Sequence, residues 1–253
     1  MDGLVVVGFV ASVLIATYIQ SVTGFAMGMI IIAVIGGSRL MDIPTLTATV
    51  SLLSLVNVVL ALRGNVHHVH RPLFGWLALG QIPAIFVGVW LLTSLDNNAR
   101  WVVELLLGLF VALGSLSMLL RPEPIANLSP RYARFVAGLA GGVVGGMFSA
   151  SGPVMGWFNY RQPLPLDAIR ATLFACFVLT TSLRTVIVGV SGGLTSEVWI
   201  YVAIGLPLVV GATWVGRNYP PALPEAIMKR LAFGLMFAMG LWTLGSVLVP
   251  MLY

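Results

Sequence analysis

The chain has 253 residues, of which 59% are hydrophobic and only 8% are charged, and its formal net charge is +5. Since an ordinary soluble domain carries about 25% charged residues, this composition excludes a soluble globular protein and a disordered chain. The long apolar runs also exclude a transmembrane barrel, whose strands would alternate over about ten residues. The sequence therefore predicts an all-α protein that crosses the membrane several times.

Apolar runs follow one another along the chain with short connections between them. They cover residues 4–36, 45–62, 72–92, 101–119, 135–160, 168–189, 198–215 and 231–250. The connections are too short for a soluble domain, and the sequence has no hydrolase, nucleotide-binding or metalloprotease motif. We therefore expect a single integral membrane domain that is not an enzyme, holds no metal or cofactor and binds no nucleic acid.

The first and fifth runs are longer than one crossing needs and are interrupted near the middle. The 33 residues of the first run would form a helix of about 50 Å, whereas the hydrocarbon core is about 30 Å thick. Gln20–Gly24 interrupts the first run, and Phe148–Pro153 interrupts the fifth. Each run is predicted to form a broken helix or a re-entrant hairpin, whose free backbone groups face a cavity.

The two halves of the chain look duplicated. Asp42 and Thr47 have the same five-residue spacing as Asp167 and Thr172, and the order of run lengths repeats as well. We therefore expect an N-terminal repeat over residues 1–120, a basic cytoplasmic linker over 121–134 and a C-terminal repeat over 135–253.

The basic residues predict the orientation in the membrane. If each broken run returns to its starting side or crosses twice, Arg39 and Arg100 lie on one side. The ten basic residues on the other side are then Arg63, Arg71, Arg121, Arg131, Arg134, Arg161, Arg170, Arg217, Lys229 and Arg230. Single crossings would instead divide them five against seven and give no orientation. Because cytoplasmic loops are enriched in Lys and Arg, the first arrangement predicts an inner-membrane protein with its N-terminus outside. The two repeats are then inverted, and each has a helical hairpin followed by three transmembrane helices.

The two interrupted segments are the candidate substrate site. Inverted symmetry would bring both tips to the bilayer centre, where helices starting at Gly24 and Gly152 present free N–H groups and positive dipole ends. Thr23 and Ser151 would occupy capping positions and add hydroxyl donors. Facing helix N-termini of this kind suit an anion. The alternative interpretation is that small and hydroxyl residues simply allow close helix packing.

Two further polar residues lie inside apolar runs. Arg184 either faces a cavity, where it attracts or binds an anion, or extends its guanidinium to the outer interface. Asn57 either lines the substrate path or forms an interhelical hydrogen bond. Asp42 and Asp167 precede helices, so we expect caps or first-turn acids there rather than proton carriers.

At these segments the chain resembles the sulfite exporter TauE/SafE family, also called the toluene sulfonate uptake permease family. The resemblance rests on Thr23–Phe25 followed by Gly28, on Gly141–Pro153, and on the duplicated layout with almost no extramembrane mass. It covers essentially the whole chain. It implies a membrane permease for sulfite, sulfonates or related organic anions, moved in either direction.

The resemblance also implies which residues contact the substrate, namely Gln20, Ser21, Thr23, Gly24, Phe25, Ser149, Ser151, Gly152 and Pro153. The first tip departs from the commonest family pattern, because residues 20–23 replace small glycines. We expect a secondary transporter that works by alternating access. A passive anion channel and a non-transport scaffold subunit are the alternatives. A proton is the expected coupling ion, and a homodimer is one possible assembly.

Overall fold

The computed structural model describes residues 3–23, 25–38, 40–120, 124–219 and 225–249. These residues form helices and no β-strand. The helices are α1 (Gly3–Thr23), α2 (Met27–Ile31), α3 (Ile43–Leu62), α4 (Arg71–Asn98), α5 (Arg100–Leu119), α6 (Arg131–Phe148), α7 (Gly152–Tyr160), α8 (Leu166–Val190), α9 (Ser196–Asn218) and α10 (Glu225–Leu248). A π-helical segment, Ile32–Gly36, continues α2. The predicted all-α fold is confirmed, and α3, α4, α5, α8 and α9 are long and apolar enough to cross a membrane.

Local sequence signals explain where the long helices begin. Asp42 caps α3 by accepting a hydrogen bond from the Thr45 N–H at 2.9 Å. Pro44 follows in the first turn, where a missing N–H leaves no helical bond unmade. In the second half Asp167 lies in the first turn of α8, where an acid is favoured by the helix dipole. The predicted structural roles of both acids are confirmed.

Both interrupted runs form helical hairpins. Gly8, near the start of α1, lies beside Leu40, which follows the π-helical segment, and a Cβ on Gly8 would be 3.7 Å from the Leu40 side chain. In the second half, the Ser129 N–H donates to Gln162 Oε1 at 3.0 Å and ties the chain before α6 to the chain after α7. At about 1.5 Å per residue, α2 with its π-helical extension and α7 are too short to span about 30 Å. Each run therefore returns to the end of the molecule where it started.

The first break lies later in the chain than the sequence predicted. α1 continues through Gln20 to Thr23, and the short helix begins at Met27. A helix starting at Gly24 with Thr23 as its cap was therefore a wrong prediction. The polar residues did not end α1, because a hydroxyl such as that of Ser21 can donate to the carbonyl one turn back, here at 2.8 Å.

The second break lies where the sequence predicted it. α6 ends at Phe148, and α7 begins at Gly152 with Ser151 in the N-cap position. Pro153 stands in the first turn of α7, a position where its fixed φ and its missing N–H are tolerated. The same proline would interrupt a continuous helix, which explains why this break is readable from the sequence.

Helices of the two halves pack in matching pairs. α4 packs on α6 as α9 packs on α1, and α3 packs on α9 as α8 packs on α4. In addition α3 packs on α8, and α5 packs on α10. These contacts map onto one another when α1–α5 are exchanged with α6–α10, as a two-fold relation between the halves predicts.

The equivalent helices α3 and α8 run in opposite directions. Arg184, near the end of α8, donates to the carbonyl of Thr47, near the start of α3, at 2.9 Å. At the other end, Asn65 after α3 and Asp167 at the start of α8 line a common pocket. An inverted arrangement requires this antiparallel course. The inverted repeat over residues 1–120 and 135–253 stays a prediction.

One end of the molecule collects basic residues. Arg134 Nη1 donates to the Pro72 carbonyl at 3.3 Å, and the Ile125 N–H donates to the Arg161 carbonyl at 2.9 Å. These bonds bring the chain before α4, before α6 and after α7 to the same end. The arginines of these segments and of the adjoining start of α8 are Arg63, Arg71, Arg131, Arg134, Arg161 and Arg170.

Candidate functional site

The tips of the two hairpins meet inside the protein. A Cβ added to Gly28 would lie 2.7 Å from the Ser149 carbonyl oxygen, and one added to Gly152 would lie 3.6 Å from the Ala26 nitrogen. A cavity of about 30 Å³ lies at this contact, and we call it the central cavity. Its polar lining comes from both tips and from α3 and α8, and consists of Gln20, Ser54, Ser149, Ser151, Thr180 and Thr181.

Gln20 holds the first tip in place. Its Oε1 accepts a hydrogen bond from the Met27 N–H at 2.8 Å, and its Nε2 donates to Asn57 Oδ1 at 2.5 Å. Asn57 in turn donates from Nδ2 to Thr213 Oγ1 at 2.8 Å. The start of α2 is thereby fixed to α3 and α9. Asn57 is fully buried and forms the interhelical bond that was one of its two predicted roles.

Ser149 and Ser151 carry the hydroxyls of the second tip. Ser149 is in the left-handed region, with φ 54° and ψ 23°, which is uncommon for a residue with a Cβ. Its Oγ lies 2.7 Å from Ser51 Oγ on α3. Ser151 is 3% exposed and makes no capping bond with its side chain. The first turn of α7 therefore begins at the central cavity without a side-chain cap.

Arg184 lies behind the second tip and is buried, with 1% of its surface exposed. Its Nε donates to the Gly146 carbonyl at 2.8 Å, and its two terminal nitrogens donate to Thr47 Oγ1 and Ser51 Oγ, both at 2.7 Å. The guanidinium is thus held between α3 and α6, so an extension to the outer interface was a wrong alternative. Arg184 is one hydroxyl away from Ser149, and Ser149 lines the cavity.

The electrostatics of the central cavity suit an anion. Its polar lining consists of neutral hydroxyls and one amide, and the described residues place no Asp or Glu in it. Arg184 is a formal positive charge that connects to the cavity through Ser51 and Ser149. Within the described ranges no group of three or more His, Cys, Asp and Glu residues could hold a metal ion.

Five described residues of the predicted site do not line the central cavity. Asn57 and Arg184 are held by the hydrogen bonds given above, and the other three are Ser21, Phe25 and Pro153. Ser21 faces α9, where a Cβ on Gly216 would lie 2.8 Å from the Ser21 Cβ. Phe25 is buried and stacks on Phe233, with ring centroids 5.7 Å apart. Pro153 lines an apolar groove between α5, α6 and α7. Gly24 and the side chain of Thr23 lie outside the described part of the chain.

The hydroxyls on α3 and α8 were not predicted from the sequence as site residues. Thr47, Ser51 and Ser54 follow at intervals of four and three residues, so they lie on one face of α3. Thr180 and Thr181 lie about one turn before Arg184 on α8. A hydroxyl stripe at helical spacing on an otherwise apolar helix is the sequence signal that could have found them.

A second, polar pocket lies at the basic end of the molecule. It has a volume of about 160 Å³ and is lined by Asn65, Asp167 and Arg170, together with Ser21 of α1. We call it the entrance pocket. Its polar lining distinguishes it from the apolar groove and suits a charged solute in water.

A short barrier separates the entrance pocket from the central cavity. Ala61 and Phe174 line the entrance pocket, whereas Val58 and Phe177 line the central cavity. Val58 and Ala61 on α3 are three residues apart, and so are Phe174 and Phe177 on α8, which is about one helical turn. One apolar turn of α3 and one of α8 therefore divide the two spaces.

Comparison with known proteins adds an independent line of evidence. A family model described as "Sulfite exporter TauE/SafE" matches residues 9–243. The chain is 38% identical over 234 residues to the "Probable sulfite/organosulfonate exporter TauE" of Cupriavidus necator, which covers 92% of this chain and 90% of that protein. It is 25% identical over 181 residues to the "Probable inner membrane transporter protein TsaS" of Comamonas testosteroni, with 70% of this chain and 73% of that protein covered. No solved structure matches the chain.

Proposed function

The chain belongs to the sulfite exporter TauE/SafE family, whose members are transporters and not enzymes, and we propose that it is a secondary transporter of sulfite, a sulfonate or a related organic anion. It is an integral, multi-pass protein of the inner membrane. The name of one relative supports the substrate class, since it refers to sulfite and organosulfonates.

The observation that carries the proposal is the meeting of the two hairpin tips at the central cavity. Ser54, Ser149, Ser151 and Thr181 are among the residues that line this space, and the described residues contribute no acid to it. Hydroxyl donors in a water-poor interior stabilise an anion, because they replace its hydration shell without a full opposite charge. Ser151 at the start of α7 and Ser149 are the proposed contacts of the second tip.

The size of the central cavity favours a compact anionic group. By the same measure a cavity needs roughly 10–15 Å³ to hold one water, and the central cavity has about 30 Å³. A sulfite ion or the head group of a small sulfonate suits this volume better than a bulky aromatic tail does. A larger substrate would require the tips to move apart.

The barrier between the two spaces supports alternating access over a channel. A channel needs a continuous path, whereas the entrance pocket and the central cavity are separate spaces, lined by Phe174 and by Phe177 one helical turn apart. In the proposed cycle the two halves rock against each other around the tips, so that the barrier opens on one side at a time. Proton coupling and a homodimer stay predictions.

Two measurements on the purified protein test the proposal. Thermal stability is measured against sulfite, methanesulfonate, sulfate and acetate, because a ligand that binds only the folded state raises the Tm. Counterflow into proteoliposomes then separates a carrier, which shows saturation and trans-acceleration, from a channel. Selective stabilisation by sulfite or methanesulfonate together with counterflow is the expected result. Flux without trans-acceleration would favour the channel, and no binding and no flux would overturn the proposal.

Replacing Ser151 with Ala tests the second tip directly. Loss of one hydroxyl bond to the anion should weaken binding about tenfold, while the Tm without ligand stays near that of the wild type because Ser151 makes no capping bond. Ser115→Ala is the matched control, since Ser115 is a buried hydroxyl on α5 that donates to the Val111 carbonyl at 2.6 Å. An unchanged affinity in Ser151→Ala would contradict the proposed contact.

A further inference from the structure

Arg184 is a buried cation whose hydrogen-bond partners are neutral. The guanidinium bonds to two backbone carbonyls and two hydroxyls, and among the described residues no carboxylate forms an ion pair with it. A buried charge without an opposite charge is strongly unfavourable unless something else compensates it. In a membrane protein such a residue marks a functional path. A transported anion would supply the missing negative charge.

A chain of hydroxyls connects Arg184 to the central cavity. Arg184 Nη1 and Ser51 Oγ are 2.7 Å apart, and so are Ser51 Oγ and Ser149 Oγ. Arginine can only donate, so the Ser51 oxygen accepts from Arg184. Ser51 is 1% exposed and does not line the cavity, whereas Ser149 does.

The direction in which these hydroxyls donate their hydrogen bonds depends on what occupies the cavity. Ser51 has one hydroxyl hydrogen and two acceptors within reach, the Thr47 carbonyl at 3.0 Å and Ser149 Oγ at 2.7 Å. If Ser51 donates to Thr47, the Ser149 hydroxyl donates back to Ser51. If Ser51 donates to Ser149, the Ser149 hydroxyl is released to donate into the cavity. An anion there favours the second arrangement, because every donor then points toward the negative charge.

The backbone of Ser149 supports a role for its side chain. Its left-handed conformation, with φ 54°, is one that glycine adopts without the steric penalty of a Cβ. Residues held in such conformations cluster at functional sites. The strained conformation places the Ser149 hydroxyl between Ser51 and the central cavity.

We propose that the hydroxyl of Ser149 donates a hydrogen bond to the transported anion and that Arg184 acts on the anion through Ser51 and Ser149, as a positioning residue. This inference rests on the proposed function. In this arrangement the negative charge of the bound substrate balances the positive charge of Arg184. Ser51 then contributes to substrate affinity although it does not line the cavity.

Affinity for methanesulfonate, an unreactive sulfonate, tests the inference in the purified full-length protein. In Ser149→Gly the dissociation constant should rise about tenfold, while the Tm without ligand is unchanged or raised because glycine relieves the strained φ. In Ser51→Ala the dissociation constant should rise by a similar factor. The double variant should bind no more weakly than the weaker single variant, because both substitutions interrupt the same chain.

The possible outcomes separate the inference from the proposed function. If the wild type binds methanesulfonate and Ser51→Ala binds equally well, the inference is overturned and the proposed function stands. The inference is also overturned if the two increases in the dissociation constant multiply in the double variant, because Ser51 and Ser149 would then act independently. Ser115→Ala should leave both the affinity and the Tm near wild type, and Ser149→Gly covers the case in which Ser51→Ala fails to fold. A wild type that binds neither sulfite nor methanesulfonate overturns both.

Discussion

The contact between the two tips depends on the absence of a side chain at Gly28. A Cβ at this position would lie 2.7 Å from the carbonyl oxygen of Ser149 and 3.3 Å from the Cβ of Ala150. The first distance is shorter than van der Waals contact, and the atom met is backbone, which cannot rotate away. A methyl group at position 28 would therefore push the tips apart and displace the groups that line the central cavity.

We expect Gly28→Ala to lower transport strongly while the protein still folds. A displacement of about 1 Å in a binding site can reduce a rate about 100-fold, whereas crowding at one site costs about 1–3 kcal/mol of stability. Counterflow in proteoliposomes and the Tm in detergent measure the two effects. Gly211→Ala is the control, because a Cβ on Gly211 meets no atom within 4 Å. Wild-type counterflow in Gly28→Ala would show that the tips need not touch.

At the scale of single residues, the sequence predicted the position of the second tip better than that of the rest of the candidate site. Ser149, Ser151 and Gly152 were identified because small residues precede a proline within an apolar run. Ser51 lies 98 residues from Ser149 in the chain, and only the packing of α3 against the tip brings the two hydroxyls together. The spacing of hydroxyls along α3 could mark Ser51 as a candidate site residue, but no sequence signal pairs it with Ser149, so the path from Arg184 to the cavity was not predictable.

At the scale of helices, the contact between α4 and α6 depends on glycine. A Cβ on Gly142 would lie 2.7 Å from the Gln81 carbonyl oxygen and 2.9 Å from its Cα, and Gly138 approaches the backbone of Leu77 as closely. Small residues spaced four apart let two membrane helices approach until their backbones touch. The middle of α6, and with it the second hairpin, is held in place by this contact.

Gly142→Ala should therefore destabilise the protein by about 1–3 kcal/mol through overpacking. The reason is that the backbone of α4 must move to admit the methyl group. Thermal unfolding in detergent measures the loss, and Gly75→Ala on α4 is the matched control, since nothing lies within 4 Å of a Cβ there. Equal Tm values for the two variants would mean that α4 and α6 separate without a penalty.

The barrier between the entrance pocket and the central cavity gives a second prediction for the helices. Phe174 is 7% exposed and lines the entrance pocket one turn from Phe177. Removing its ring should open a path past α8, so Phe174→Ala should allow slow flux without trans-acceleration. Phe86→Ala controls for loss of a ring, because Phe86 is 50% exposed on α4. Normal counterflow without leak in Phe174→Ala would contradict the barrier.

The two breaks show what decides whether an element boundary can be predicted. Pro153 cannot continue a helix without losing a hydrogen bond, so the end of α6 was predicted correctly. Ser21 and Gln20 are polar but satisfy their side chains on Thr17 and on Met27, so α1 continues three residues beyond Gln20. Polarity within an apolar run is thus a weaker signal for a break than a residue that changes the backbone.

At the scale of the whole molecule, two features distinguish one end from the other. One end carries Arg63, Arg71, Arg131, Arg134 and Arg161, held together by bonds between the segments. The antiparallel course of α3 and α8 places the turn after α3 at this end and the turn after α8 at the other. Since cytoplasmic ends are rich in arginine, the basic end and its entrance pocket are expected to face the cytoplasm.

Cysteine labelling with a membrane-impermeant maleimide tests this orientation. Cys176 is fully buried, so the wild type should stay unlabelled and provide the baseline. Val66→Cys places a thiol on an exposed turn at the basic end, and Ser191→Cys places one on the turn after α8. Ser191→Cys should react in intact spheroplasts, and Val66→Cys only in inverted vesicles. Because the two turns lie at opposite ends, labelling of both from one side would contradict the fold, whereas an exchange of sides would retain the fold and reverse its orientation.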